Sequence, residues 1–296
     1  MKRFAGILTP IVTPFLHDTL DEAGMRANVT RWATTALDGL VVLGSNGEAA
    51  QLEDDEADRA LAVAREVWPR TKWLLAGTGR ESTTATIAAT SRAAALGADA
   101  VLVRTPAFFK PQMTSDVFVR HYTAVADVSP VPVLLYNVTM FTGVSLGADA
   151  VERLAQHPNI VGMKESGSDI GLLAEYVART PDDFTVLAGS ATTFVHALAA
   201  GCDGAILALA AVMPEACASL RTLVAEGRLA EARALQRSVM PLARSVGTTY
   251  GVAGLKAALE MLGFAAGPPR PPLQPATVES REVIRRQLVA LQLLQS

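Results

Sequence analysis

Lys164 is the most informative candidate for a catalytic residue, because of its type and its position in the sequence. The chain has 296 residues and five lysines, and Lys164 directly follows an apolar run, residues 160–163. Burying an ammonium is costly unless it is paired with a carboxylate or loses its proton. A neutral lysine attacks a carbonyl carbon and forms a Schiff base. A buried ion pair with Glu165 or with another carboxylate is the alternative, and position alone leaves both open. The other four lysines are predicted to lie at the surface: Lys2, Lys72, Lys110 and Lys256.

Tyr136 ends the apolar run before the one that holds Lys164. A phenol beside an imine can pass protons to a carbinolamine and to the departing oxygen. Taken alone, Tyr136 is most simply an aromatic residue at a strand end. Its pairing with Lys164 favours the catalytic interpretation.

A polar turn, residues 44–48 (Gly-Ser-Asn-Gly-Glu), follows another apolar run. Two glycines allow close backbone approach, and N–H groups with the Ser45 and Asn46 side chains suit a small carboxylate. The alternative is a plain connecting turn in which Asn46 and Gly47 adopt positive φ. A phosphate-binding P-loop is excluded because no lysine follows in the required frame.

The elements that must position these residues are eight short apolar runs. They begin at residues 6, 39, 72, 99, 131, 159, 184 and 204, and each has Val, Ile or Leu on both parities, which is typical of parallel strands buried on both faces. Helical segments alternate with them, for example at 53–67, 82–96 and 146–156. The pattern predicts an α/β fold, a (β/α)8 TIM barrel, over residues 1–213, whose active site lies at the carboxyl ends of the strands. Residues 214–296 are predicted to form C-terminal helices packed on the barrel.

Composition excludes several classes of protein. Half of the residues are hydrophobic, 19% are charged and the net charge is −3, which argues against nucleic-acid and anionic-membrane partners. Cys202 and Cys217 fit no zinc spacing and are expected to be buried, and the four histidines show no metal-binding pattern. We expect no metal, no membrane span and a cytoplasmic protein.

Three motifs carry a resemblance to a known family: GSNGE (44–48), VLLYNVTMFTG (133–143) and VGMKESGSD (161–169). In this order they resemble the dihydrodipicolinate synthase / N-acetylneuraminate lyase superfamily of class I pyruvate aldolases. Longer segments look most like 4-hydroxy-2-oxoglutarate aldolase, among them HYTAVADVSPVPVLLYNV (121–138) and QHPNIVGMKESGSD (156–169).

The resemblance implies a role for each matching residue. Lys164 would form the Schiff base, Tyr136 would relay protons, and Ser45 would orient Tyr136. Ser45 and Asn46 would hold the pyruvate carboxylate. The remaining residues would line the pyruvate pocket or stand beside the lysine: Gly189, Ile206 and Ser166.

The chain departs from the family pattern on the side of the aldehyde substrate. Phe141 stands where the synthases carry an arginine that binds the aldehyde's carboxylate. Phe108 stands where relatives have a tyrosine that is donated across a subunit interface. Both are expected to be substrate-binding residues of a pocket rebuilt for a more apolar aldehyde. The histidines of the lysine feedback site are missing from residues 51–56, so feedback by lysine is not expected.

The resemblance implies a lyase that cleaves or condenses pyruvate with an aldehyde, first of all a 4-hydroxy-2-oxoglutarate aldolase. The alternatives are a dihydrodipicolinate synthase and a non-catalytic keto-acid-binding relative. The partners would be pyruvate and a small aldehyde or 2-oxo acid, in a homo-oligomer, tetramer or dimer. No cofactor is expected, because the imine on Lys164 stores the carbanion as an enamine.

Overall fold

Ten strands are found in the computed structural model, which describes residues 2–295. Eight of them close a parallel barrel in the order β1, β10, β9, β8, β7, β6, β5, β4, and β2 pairs with β3 in an antiparallel hairpin. The predicted eight-stranded barrel is confirmed. The strands are β1 (Gly6–Pro10), β2 (Phe15–Leu16), β3 (Thr19–Leu20), β4 (Gly39–Val42), β5 (Trp73–Gly77), β6 (Ala100–Arg104), β7 (Val133–Asn137), β8 (Ile160–Glu165), β9 (Thr185–Ala188) and β10 (Gly204–Ile206).

Helices alternate with the barrel strands and then continue alone. The three helices predicted at 53–67, 82–96 and 146–156 correspond to α2, α3 and α6. The α-helices are α1 (Glu22–Ala33), α2 (Asp54–Val67), α3 (Thr83–Ala95), α4 (Ser115–Val128), α5 (Thr139–Thr142), α6 (Ala148–Leu154), α7 (Ile170–Arg179), α8 (Phe194–Ala199), α9 (Leu209–Val212), α10 (Pro214–Ala225), α11 (Leu229–Arg244), α12 (Gly251–Met261) and α13 (Val278–Ala290), with a π-helical turn at Ser245–Thr249.

The core has two parts because alternate strand residues face opposite sides of the barrel wall. Leu8, Leu75 and Leu134 fill the barrel interior. Residues of the other parity, such as Val101 and Val133, pack outward against the helices. This two-sided burial is why the strands appear in the sequence as continuous apolar runs rather than as alternating ones.

The helices after residue 213 pack on the barrel, as α10 does against β1 and α8. The division at residue 213 into a barrel core and a helical part stays a prediction. Both cysteines are buried and free, as expected. Among residues 2–295, no helix is long and apolar enough to cross a membrane.

Lys256 of α12 corrects one expectation, because it is 1% exposed and not at the surface. Its Nζ lies 2.5 Å from Oε1 of Glu48, and it donates to the Pro268 carbonyl at 3.1 Å. The Arg270 backbone N–H donates to Oε2 of the same carboxylate at 2.7 Å. The ammonium also lies over the ring of Phe15, 4.3 Å from its centroid. The C-terminal part of the chain thus satisfies the Glu48 carboxylate from two directions.

Candidate active site

Lys164 lies near the carboxyl end of β8 and is 5% exposed. It is in register with Tyr136 on β7, and its Nζ lies 3.5 Å from the Tyr136 hydroxyl. Because in-register residues of parallel strands face the same side, both side chains enter the barrel mouth. Within residues 2–295, no carboxylate forms an ion pair with Lys164. The Lys164 Nζ is therefore buried against a phenol instead of a carboxylate.

Glu165 does not pair with Lys164, so the ion-pair alternative is wrong. The next residue of a strand faces the opposite side, and Glu165 accepts a hydrogen bond from Asn137 Nδ2 at 2.6 Å and another from the Gly167 backbone N–H. Burial raises the pKa of this carboxyl above its usual range. Asn137 in turn accepts from the Leu146 N–H at 3.0 Å. This cluster outside the barrel interior holds the ends of β7 and β8 beside each other.

Ser45 extends the lysine–tyrosine pair into a chain of three polar groups. Its hydroxyl lies 3.3 Å from the Tyr136 hydroxyl, which is itself within reach of Lys164 Nζ. Either of the two hydroxyls can be the donor, so a proton can move in either direction along the chain. The structure brings these three predicted catalytic residues together from three different strand ends.

The turn at residues 44–48 is shaped differently from the expectation. Leu43 and Glu48 adopt positive φ, +61° and +55°, whereas Asn46 and Gly47 do not. The Thr13 hydroxyl donates to the Gly47 carbonyl at 2.7 Å and holds the turn from the side of β1. Within residues 2–295, the backbone N–H groups of Ser45 and Asn46 donate to no protein acceptor. Two N–H donors are therefore free for a ligand at the barrel mouth.

A small cavity of about 100 Å³ lies at the centre of these groups. Gly189 forms part of its wall, and a Cβ there would lie 2.1 Å from the Ser166 hydroxyl and 2.9 Å from the Glu165 carbonyl oxygen, so only glycine fits. Eight of the nine predicted site residues line this cavity: Ser45, Asn46, Tyr136, Phe141, Lys164, Ser166, Gly189 and Ile206.

Other lining residues were not predicted from the sequence. Gly247 and Thr248 reach the cavity from the π-helical turn in the C-terminal part of the chain. Such single π turns are frequent at functional sites, but they have no simple sequence signature. Pro10 at the end of β1 and Ser190 after β9 also line the cavity, and the rule that barrel sites lie at strand ends would have found both.

Phe108 is the predicted site residue that the single chain does not bring to the cavity. It is 76% exposed and packs edge to face on Phe109, with ring centroids 5.0 Å apart. The reason is the anchoring of its loop: Glu81 Oε2 accepts from the backbone N–H groups of Ala107 and Phe108, both at 2.8 Å, and the Phe108 ring points outward. Phe141 does line the cavity, and it is 62% exposed at its mouth.

A second, larger cavity of about 770 Å³ adjoins the small one. The two share wall residues, among them Ser45, Tyr136 and Phe141. The larger cavity also contains charged side chains, Arg80, Glu81 and Arg104. The rebuilding of the aldehyde side for a more apolar substrate, expected from Phe108 and Phe141, stays a prediction.

The site residues give no metal centre that we can identify. Among residues 2–295, no three His, Cys, Asp or Glu side chains are grouped so that they could hold a metal ion. The absence of a metal and of a cofactor stays a prediction. The chemistry available from the residues themselves is nucleophilic attack by an amine, with proton transfer through two hydroxyls.

Known proteins share both the sequence and the fold. Residues 3–291 match the model of the dihydrodipicolinate synthetase family. The chain is 37% identical to a 4-hydroxy-tetrahydrodipicolinate synthase of Exiguobacterium sp. over 287 residues, 94% of this chain and 95% of that protein.

Solved structures agree with this match. The dihydrodipicolinate synthase of Thermotoga maritima superposes with a TM-score of 0.94 at 31% identity, over 98% of this chain and 99% of that one. The chloride-inhibited enzyme of Acinetobacter baumannii, in complex with pyruvate, gives 0.94 at 29% identity, over 99% of this chain and 100% of that one. Since both matches span nearly the whole chain, the protein belongs to the dihydrodipicolinate synthetase family and is a lyase of the class I aldolase type.

Proposed function

We propose that the protein condenses or cleaves pyruvate with an aldehyde through an imine on Lys164. The observation that carries the proposal is the chain of contacts from Ser45 to Tyr136 to Lys164 around a small cavity. A buried amine beside a phenol, with no carboxylate paired to it, is arranged for attack on a carbonyl carbon. It is not arranged for a structural ion pair.

The steps follow from the positions of these groups. Lys164 Nζ attacks C2 of pyruvate, and the carbinolamine loses water as Tyr136 protonates the departing hydroxyl. Loss of a proton from C3 gives the enamine, whose C3 attacks the aldehyde carbon, and the new alkoxide takes up a proton. Water then hydrolyses the imine and returns the free lysine. Tyr136 and Ser45 move the protons between these steps.

The pyruvate carboxylate has a matching site in the turn at residues 44–48. The free N–H groups of Ser45 and Asn46 line the same cavity as Lys164. Successive N–H groups in such a turn favour an anion. Gly189 and Ile206 would lie against the remaining faces of the bound pyruvate, and Ser166 beside the lysine. No metal or organic cofactor is needed in this scheme.

For the aldehyde, we propose synthesis of 4-hydroxy-tetrahydrodipicolinate first, because the relatives at 33–37% identity have the name of that synthase. These names favour the alternative over the first expectation of a 4-hydroxy-2-oxoglutarate aldolase. The carbon skeleton of that product requires a four-carbon amino acid aldehyde, aspartate semialdehyde, as the partner of pyruvate. Cleavage of 4-hydroxy-2-oxoglutarate remains the second candidate, because Phe141 stands where the synthases are expected to carry an arginine.

Borohydride trapping tests the imine directly. The protein is incubated with pyruvate and borohydride, digested, and its peptides are weighed by mass spectrometry. The adduct is expected on Lys164 and not on Lys256, which is equally buried and serves as the internal control. An adduct elsewhere, or none, would refute the mechanism and favour the non-catalytic keto-acid binder. Lys164→Ala should remain folded and lose both adduct and turnover.

Self-association is also proposed. Large apolar side chains are exposed on the segments that follow the paired strands β6 and β7, the second of which includes α5: Phe108, Phe109, Met140 and Phe141. Contiguous exposed apolar groups of this kind mark interaction surfaces. Light scattering is expected to give a dimer or tetramer, and Phe109→Ser is expected to shift the mass toward the monomer. A monomeric wild-type protein at micromolar concentration would contradict the proposal.

A further inference from the structure

Arg104 is a charged residue of the barrel mouth that the mechanism above does not use. It ends β6 and is in register with Tyr136, which is in register with Lys164. In parallel strands such residues face the same side, so the three side chains belong to one inward-facing layer. Arg104 lines the larger cavity but not the small one. It therefore lies beyond Tyr136 as seen from the lysine.

The guanidinium of Arg104 is held at one nitrogen only. Its Nη1 donates to Glu81 Oε1 at 2.7 Å and to the Thr105 carbonyl at 3.1 Å. Within residues 2–295, its Nε and Nη2 have no acceptor. The side chain is 30% exposed, toward the cavity. The edge formed by Nε and Nη2 thus has two parallel N–H donors open to the cavity, whereas Nη1 is fixed by its two acceptors.

Glu81 is already committed to protein donors. Its Oε1 binds Arg104, and its Oε2 accepts from the backbone N–H groups of Ala107 and Phe108. Burial alone would raise the pKa of this carboxyl, but the hydrogen bonds from Ala107 and Arg104 outweigh it and lower the pKa. Glu81 therefore stays ionised and orients Arg104 without closing its free edge.

We propose that Arg104 binds the carboxylate of the aldehyde substrate, which makes the natural acceptor a small aldehyde that carries a carboxylate. The assignment rests on the proposed pyruvate chemistry at Lys164. Two parallel N–H donors match the two oxygens of a carboxylate. Glu81 beside them disfavours a doubly charged phosphate, because like charges at short range repel. Arg104 would thus do from β6 what Phe141 cannot do from the loop after β7.

The position of Arg104 implies that the two substrates occupy different cavities. Pyruvate lies with Ser45 and Asn46 in the small cavity, whereas Arg104 reaches only the larger one. A change at Arg104 should therefore alter the reaction of the aldehyde and leave imine formation with pyruvate intact. Arg153 lines neither cavity, and its Nη1 is paired with Asp116 at 2.7 Å, so it provides the control.

The experiment compares three aldehydes at saturating pyruvate: aspartate semialdehyde and glyoxylate, which carry a carboxylate, and propanal, which is neutral. For Arg104→Gln, kcat/KM should fall about 10- to 100-fold for the carboxylated aldehydes, the worth of a hydrogen bond between charged groups. For propanal it should change less than threefold. Arg104→Lys should recover part of the loss, and Arg153→Gln should behave like the wild type with all three.

The ratio of kcat/KM for the carboxylated and the neutral aldehyde is the deciding quantity, because misfolding lowers both together. Glu81→Gln disturbs the same loop but keeps the guanidinium, so it should keep the preference for the carboxylate. An equal loss for propanal and glyoxylate, an unchanged ratio, or a wild-type preference for a neutral or phosphorylated aldehyde would overturn the assignment. Borohydride trapping with pyruvate is run on every variant. Failure of trapping in the wild type would refute the imine itself, independently of Arg104.

Discussion

Removal of the Lys256 ammonium should destabilise the protein more than any exposed ion pair can. Lys256 and Glu48 are both about 1% exposed, and their charged atoms are 2.5 Å apart. Lys256→Met keeps the volume and helix propensity of the side chain but leaves the Glu48 carboxylate buried without its counter-charge. Burial already lowers the pKa of Lys256 although Glu48 raises it, which shows how strongly the site penalises a charge.

The expected loss in the free energy of unfolding follows from the contacts that Glu48 keeps in Lys256→Met. Breaking a buried pair by removing one partner typically costs about 3–5 kcal/mol. Arg270 still donates its backbone N–H to Oε2 of Glu48, so we expect the lower part of that range. The free energy of unfolding is measured by urea denaturation at pH 7, for wild type, Lys256→Met, and Lys256→Met combined with Glu48→Gln.

The double variant is the sharper test, because it removes both charges and should recover at least half of the loss. Arg228→Ala, which breaks two exposed pairs with Glu226 and Glu231, is the control and should shift the urea midpoint far less than Lys256→Met does. The reasoning is refuted if Lys256→Met costs less than about 1 kcal/mol, the value of a surface pair. It is also refuted if the double variant is less stable than the single one.

Four further predictions concern other groups. Tyr136→Phe should lower kcat about 10²- to 10⁴-fold, with KM for pyruvate changed little, in steady-state kinetics. Gly189→Ala should abolish pyruvate trapping, because its Cβ would displace Ser166. Burial lowers the pKa of His121 to about 4, so the unfolded chain binds the proton first as pH falls below about 6.5. Stability should then fall by up to about 1.4 kcal/mol per pH unit down to pH 4 in urea titrations, and His121→Gln should flatten this slope. Activity should survive dialysis against a chelator, and restoration of lost activity by a divalent ion would contradict the metal-free scheme.

The barrel could be predicted from the sequence because each strand is buried on both faces. The composition of a run such as residues 133–137 is therefore enough to predict a buried strand. Lys164 and Tyr136 were predictable for a related reason, because polar residues at the ends of such runs must meet at one rim of a barrel.

The positions of two residues depend on partners far along the chain. Lys256 was expected at the surface because lysines on helices usually are, and its partner Glu48 lies in a distant turn. Phe108 was placed by the loop anchor at Glu81, which no local pattern reveals. Arg104 ends an apolar run just as Tyr136 does, so the same strand-end rule would have found it.

The Glu48 network has a consequence for how the protein is made. The turn that contains Ser45 and Asn46 leaves the ribosome well before Arg270, which donates to Glu48 and follows it by 222 residues. β1 also pairs with β10, so the barrel cannot close until β10 has been synthesised. Domains generally fold as they emerge, but here the nascent chain keeps an open sheet edge until β10 has emerged, and the Glu48 carboxylate lacks its partner until Arg270 has emerged. Premature termination anywhere before residue 270 should therefore yield no partly active fragment, only an aggregation-prone substrate for chaperones and proteases.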